Sequence, residues 1–156
     1  MKVRIHRIGR SRDRWWLEAE EEYLRRLAPL CRVELKEYRA ADVLDPAQCD
    51  AARQLEGERL LKGLAPRSLV IALDERGIQH TSPELAGELG RILDDGQPEL
   101  EFLIGGAYGL SESVRARADR SWALSRLTFP HQMVRVFLIE QLYRALMIRQ
   151  GTPYHK

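Results

Sequence analysis

Three short stretches hold the residue types from which chemistry could be built. They are the terminal Tyr154-His155-Lys156, the glycine-bearing run FLIGGAYGLS at 102–111, and the apolar run that stops at Asp74. A tyrosine ring stacks on flat ligands, an imidazole titrates near neutrality, and an ammonium neutralises an anion. Chain ends usually carry small polar residues that nothing holds down. The last three residues, delivered by a Gly151-Thr152-Pro153 elbow, therefore read either as a mobile tail or as the piece that completes a site built elsewhere.

In open α/β sheets ligands bind beyond the carboxyl ends of the strands, which selects IALD at 71–74 and the glycine run. Gly105, Gly106 and Gly109 would let a flat ligand approach the backbone closely. They match neither GxGxxG nor GxxxxGK[ST], so a dinucleotide or triphosphate cradle is disfavoured. Taken alone, such glycines can also serve only the turn. Nucleophilic catalysis has little support, because there is no GxSxG elbow and Cys31 and Cys49 have no histidine nearby in sequence. The four histidines, His6, His80, His131 and His155, form no ligand-spaced cluster, and no metal is expected.

The elements that must position these residues can be read from periodicity. KVRIHRI at 2–8 alternates Val3 and Ile5 with Lys2, Arg4 and His6, predicting a half-buried strand with a basic outer face. Ser11 could then cap a helix with Trp16, Ala19, Tyr23 and Leu27 at helical spacing, its acidic run at 18–22 solvated. RVELKEY is a second alternating strand with Val33, Leu35 and Glu37 on one side. A helix after Pro46 is expected to bury Ala51, Leu55 and the Leu60/Leu61/Leu64 group.

SLVIALD carries a continuous apolar run, as a strand covered on both faces would, and ELEFLIGG reads as a second buried strand ending on glycines. Between them TSPELAGELGRILDDG offers a cap, an early proline and a stripe of Leu85, Leu89 and Leu93. The order β-α-β-α-β-α-β predicts an α/β fold, a mostly parallel sheet with flanking helices, in one domain spanning 1–156. SWALSRLTF reads as a strand or an extended loop. Pro130 then opens a helix that is apolar almost all round and so must be buried on more than one side. We expect a homodimer packed through it, with Phe137, Leu142 and Met147 as candidate buried positions; the other reading places the helix centrally within one protomer.

Composition bounds the rest. A chain of 156 residues can bury roughly 70% of its unfolded surface without disulfides or metals. With 44% hydrophobic and 31% charged residues and a net charge of +2, it reads as an ordinary globular protein rather than a polycation. The balance is uneven: the first fourteen residues carry Lys2, Arg4, Arg7, Arg10, Arg12 and Arg14 against Asp13. Of 25 basic residues, 21 are arginine, through either codon composition or a use for phosphate and base stacking. No signal-like start and two unpaired cysteines lead to the expectation of a cytoplasmic protein with reduced thiols. No span reads as membrane-crossing: 133–148 is interrupted by Arg135, Glu140 and Arg144.

The segments VIALDERG, FLIGGAYGLS, LSRLTFPHQMVRVFLIEQLYRA and terminal YHK, in this order, closely resemble the ribosomal RNA large-subunit methyltransferase H family of the SPOUT superfamily. The resemblance runs from KVRIHRIG to the last residue. It implies an α/β sheet ending in a C-terminal trefoil knot, a homodimer, and S-adenosylmethionine as cofactor. The implied reaction is methylation of N3 of a pseudouridine in helix 69 of 23S rRNA, within the assembled ribosome. Carried over by position, the cofactor would be held by Leu73, Gly105 and the run Leu124, Ser125, Arg126, Leu127, Thr128 and Phe129.

The imide proton on N3 costs about 3–4 kcal/mol to remove at neutral pH, at ~1.36 kcal/mol per unit. His155 has the right range to take it, with Tyr154 and Lys156 orienting the base or neutralising its charge. The other reading of this tail is that it only grips RNA. Arg4, His6, Arg7, Arg10, Arg12 and Arg14 are expected to meet RNA phosphates. A non-catalytic ribosome-associated RNA-binding dimer is the rival reading, as is a nucleotide-binding α/β protein with another substrate.

Overall fold

In the computed structural model, which describes residues 1–96 and 99–155, five strands form one sheet. These are β1 (Lys2–Ile8), β2 (Arg32–Tyr38), β3 (Leu69–Gln79), β4 (Glu99–Ile104) and β5 (Arg120–Ala123), ordered β2-β1-β4-β3-β5. Every pairing is parallel. Parallel neighbours need crossovers. Helices α1 (Arg14–Leu27), α2 (Cys49–Lys62), α3 (Ser82–Asp94) and α4 (Glu112–Arg117) lie between successive strands, and α5 (His131–Arg149) follows β5. The expected α/β architecture is present, and SWALSRLTF resolves into a short strand and the loop 124–130.

Both faces of the sheet are covered, which is why the first half of β3 can be apolar on both. On one face Val3, Ile5, Ile71, Phe102 and Ile104 pack against Leu27 of α1, Leu89 of α3 and Leu138, Ile139 and Leu142 of α5. On the other, Ile8, Val70, Ala72 and Leu103 meet Leu60 of α2 and Val114 of α4. α5 is apolar around much of its surface because it lies against α1, α3 and β4. Leu142 is therefore in its own protomer's core, not on a face that a partner could reach; Phe137 is exposed and Met147 half-buried.

Two local expectations are corrected. Helix α1 starts at Arg14 with Asp13 at its cap, and Ser11 instead accepts a hydrogen bond from Nη1 of Arg7 at 3.3 Å. In α2 the buried face is Ala52, Glu56, Gly57 and Leu60, one step round from the predicted stripe, and Leu55 is exposed. The missing side chain of Gly57 lets Ser111 approach, where a Cβ would stand 2.2 Å from its Oγ.

The largest correction concerns β1. It lies between β2 and β4, so its charges point into covered layers. Arg4 donates to Glu34 at 3.2 Å, Glu99 at 2.8 Å and Glu101 at 2.6 Å. His6 is fully buried, its Nδ1 2.8 Å from the Tyr38 hydroxyl and its Nε2 3.5 Å from Glu101. On the opposite face the buried guanidiniums of Arg7 and Arg135 share Glu37, and Arg135 also pairs with Glu20. Burial would raise the Glu37 carboxyl, but Arg135 and Arg7 hold it below the usual range. Glu20 behaves oppositely, pushed up by burial beyond what Arg135 offsets.

Arg135→Leu leaves buried Glu20 without its guanidinium. We expect a loss of about 3–5 kcal/mol in unfolding free energy by urea titration, and a loss below about 1 kcal/mol would show the cluster to be dispensable. His6 gives a pH test. Burial pushes its pKa down to about 4, against 6.5 for a free imidazole, with Glu101 opposing. The unfolded chain takes up the proton first as pH falls, so stability should drop between pH 6.5 and about 4. The drop amounts to at most about 3 kcal/mol. His6→Gln should flatten that slope, and an unchanged slope removes His6 as its cause.

Candidate functional site

A cleft of about 750 Å³ opens where β4 ends and β3 stops pairing with it, lined by Leu73, Asp74, Ile104, Gly105 and Gly106. Thr128, Phe129, Pro130 and His131 close it from the loop that leads into α5. Parallel strands deliver their last residues to one edge of the sheet, and this cleft occupies that edge.

The glycine loop is folded back on itself. Gly109 donates to the Gly106 carbonyl at 3.1 Å, and a Cβ on Gly105 would stand 2.8 Å from the Gly109 carbonyl carbon. A Cβ on Gly106 would meet Oε2 of Glu56 at 2.7 Å and Ile8 at 3.0 Å. The loop therefore presents main chain to the cleft, with Glu56 of α2 as its floor. Glu56 is buried, its carboxyl raised by that burial; Oε1 accepts the Ala41 N–H at 2.9 Å and Oε2 has no hydrogen-bond partner.

Two polar groups sit at the walls. Asp74 receives the Arg76 N–H at 2.9 Å and Nε of Arg115 at 2.6 Å. Burial works to raise its pKa, but these two partners outweigh it and keep the carboxylate ionised below its usual range. His131 opens α5, and burial together with nearby Arg7 lowers its pKa, so it is a neutral imidazole at pH 7. Phe129 packs edge-on against Phe137 at 5.2 Å, fixing one apolar wall.

Of the residues expected to hold a cofactor, Leu73, Gly105, Thr128 and Phe129 line this one cleft. Leu124 and Ser125 are half-buried, while Arg126 and Leu127 are exposed, Leu127 by 71%. Ser125 Oγ accepts the Leu127 N–H at 3.0 Å, which shapes the loop between them. A flat, partly charged nucleoside ligand fits this lining: main-chain donors and acceptors at the glycine loop, an aromatic wall, and room for a ligand of that size.

The tail is held. Gly151, in a left-handed conformation at φ +68°, turns the chain at the end of α5, and Thr152 bonds back to the Met147 carbonyl. Tyr154 lies edge-on to Tyr143 at 4.8 Å, under the Arg144 guanidinium, with its hydroxyl donating to Glu140 at 3.2 Å. Burial, then Tyr23 and Glu140, push its pKa up to about 12, so it keeps its proton. His155 is exposed, and Lys156 lies outside the described residues. Neither Tyr154 nor His155 lines the cleft of its own chain.

The six basic residues expected at phosphates divide sharply. Arg4, His6 and Arg7 are committed to internal partners and cannot present charge outward, because β1 is a covered central strand. Arg10, Arg12 and Arg14 beyond it are exposed. Sequence reasoning reached Asp74 as the end of the IALD run, without a role of its own, and missed Arg115, Glu56 and His131. Arg115 and Glu56 had no signal, since each reaches the site from a distant helix. Among the described residues no group of three metal-ligating side chains gathers, and no helix is long and apolar enough to cross a membrane.

Comparison with known proteins accords with this geometry. A family model described as a predicted SPOUT methyltransferase matches residues 1–155. A Geobacter metallireducens protein named ribosomal RNA large subunit methyltransferase H is 48% identical, the match covering 99% of each chain. A protein of the same name from Desulfitobacterium hafniense is 42% identical over 100% of this chain and 99% of its own. Among solved structures, a probable methyltransferase from Bordetella pertussis superposes with a TM-score of 0.60 at 20% identity, covering 92% of this chain and 95% of that one, a likeness of fold alone. With a family match across nearly its whole length and a strand-end cleft of the kind just described, this chain belongs to the SPOUT methyltransferase family.

Proposed function

We propose that the protein methylates large-subunit ribosomal RNA with S-adenosylmethionine, at N3 of a pseudouridine in helix 69 of 23S rRNA on the assembled ribosome. The observation that carries this reading is the cleft where β4 ends beside Leu73 of β3, at which Leu73, Gly105, Thr128 and Phe129 meet. The names of relatives 42–48% identical over the full chain support the RNA substrate. The same reading includes one domain over 1–156, a C-terminal trefoil knot, a cytoplasmic homodimer and no metal.

S-adenosylmethionine, when bound, supplies an electrophilic methyl group, so no protein nucleophile is needed. The protein's tasks are to hold the cofactor and to manage the N3 proton. Main chain at Gly105 and at Leu124, Ser125, Arg126, Leu127 and Thr128 would hydrogen-bond its adenine, between the apolar walls of Leu73 and Phe129. Because Tyr154 and His155 do not line their own chain's cleft, a partner's cleft is where the tail would act. There His155 would take the imide proton, Tyr154, which stays protonated, would donate a hydrogen bond, and Lys156 would offset charge on the base. Arg10, Arg12 and Arg14 would meet RNA phosphates.

Two variants test the two halves of this reading. Gly106→Ala drives a methyl group towards Glu56 and should weaken S-adenosylmethionine binding by about tenfold or more in calorimetry. Unchanged affinity would move the cofactor away from the glycine loop. His155→Ala should keep cofactor affinity while losing most turnover at saturating ribosome, read by mass spectrometry of the rRNA. Normal turnover would leave the tail as an RNA grip only.

A further inference from the structure

A second cleft, of about 790 Å³, opens at the carboxyl ends of β1 and β2. All strands are parallel, so it lies on the same edge of the sheet as the cofactor cleft. Arg10, Arg12 and Arg39 line it, and all three are exposed. Ser11 lies between the first two; its Oγ accepts from Arg7, which leaves its own proton to donate.

The carboxylates nearby do not cancel this charge. Glu37, at the cleft's floor, is shared by Arg7, Arg135 and, at 3.5 Å, Arg10. Asp42 holds Arg39 at 2.6 Å and Glu20 pairs with Arg135, so five guanidiniums stand against three carboxylates. Such a cleft attracts an anion, and arginine forks suit phosphate oxygens better than a point charge would.

The two clefts also share their partition. Gly9 lines the second, and a side chain there would stand 3.7 Å from Nε2 of His131, which lines the first. Deeper down, Glu56 takes the Ala41 N–H on one side and underlies Gly106 on the other. A ligand filling one cleft thus lies one thin wall from a ligand in the other. A polynucleotide with one base in the first cleft would bring a neighbouring phosphate to the second.

We propose that the β1–β2 cleft is a phosphodiester subsite that grips the RNA strand beside the nucleotide being methylated, with Arg12 and Arg39 as its principal contacts. This inference rests on the reading of ribosomal RNA as substrate. It separates the residues that grip the strand from those that hold the cofactor, and it adds Arg39, which lies far in sequence from the basic N-terminal run.

The test uses the full chain and assembled ribosomes lacking the modification. Arg12→Glu and Arg39→Glu should each raise the KM for ribosomes about tenfold, as loss of a charge-assisted contact would. Cofactor affinity by calorimetry should stay within about twofold, and the salt dependence of KM should become shallower by about one contact's worth. Arg39→Lys should recover part of the loss. Arg25→Glu, an exposed reversal on α1, is the control for general electrostatics. A KM within about twofold of wild type in both cleft variants, or an equal rise for Arg25→Glu, overturns the subsite. In either case methyl transfer by the wild type leaves the proposed function standing. A wild-type protein that transfers no methyl group to ribosomes removes that function, and the subsite falls with it.

Discussion

The pairing of Arg7 and Arg135 around Glu37, with Glu20 behind, ties together more of this molecule than any other contact. Each buried charge costs several kcal/mol to desolvate, so neither guanidinium is tolerated without its carboxylates. Because the partners come from β1, β2, α1 and α5, these elements must assemble in one arrangement or leave a charge stranded. The first turn of α5 is thereby fixed, and with it Pro130 and His131 at the lip of the cleft beside the glycine loop. The loop 124–130 is stretched between that anchored turn and the short strand β5, which places Thr128 and Phe129 against the glycine loop.

Much of the frame was legible from the sequence. An unbroken apolar run marked β3, because only a strand covered on both faces can hold one, and the FLI run ending on glycines marked β4. The carboxyl ends of those strands then pointed to the cleft. What failed was the assumption that charge marks solvent. Alternation in KVRIHRI looked half-buried because arginine and histidine were counted as outward, whereas their partners, Glu34, Glu37, Glu99 and Glu101, arrive from neighbouring strands far along the chain. The acidic run of α1 failed alike at Glu20, and α2 was read out of register because Glu56 and Gly57 are its inward face. Local periodicity carries no information about such pairings. The loop 124–130 and the tail have no periodicity at all; the tail stood out by its residue types, while only the family resemblance gave the loop a role.

In the proposed function the tail meets two demands. Residues that meet a substrate must be accessible, yet mobile side chains are poorly oriented. Here Tyr154 is clamped by Glu140, Tyr143 and Arg144 while the next residue stays exposed. The anchor is intramolecular and His155 is left exposed, as the proposed role of the tail requires.

Between Leu73 and Ile78 the ladder joining β3 to β5 is interrupted, and Trp122 pairs with both residues while those between them loop out. Asp74, Glu75 and Arg76 of that loop line the cleft beside the glycine loop. A ligand-facing wall built from freed main chain, beside a glycine loop that also presents main chain, depends little on which side chains evolution places there. Drift in the surrounding sequence can proceed without eroding recognition, provided the bulge and the close approach at Gly106 survive. Homologues would then diverge first in the exposed arginines, and last in the backbone path around the cleft.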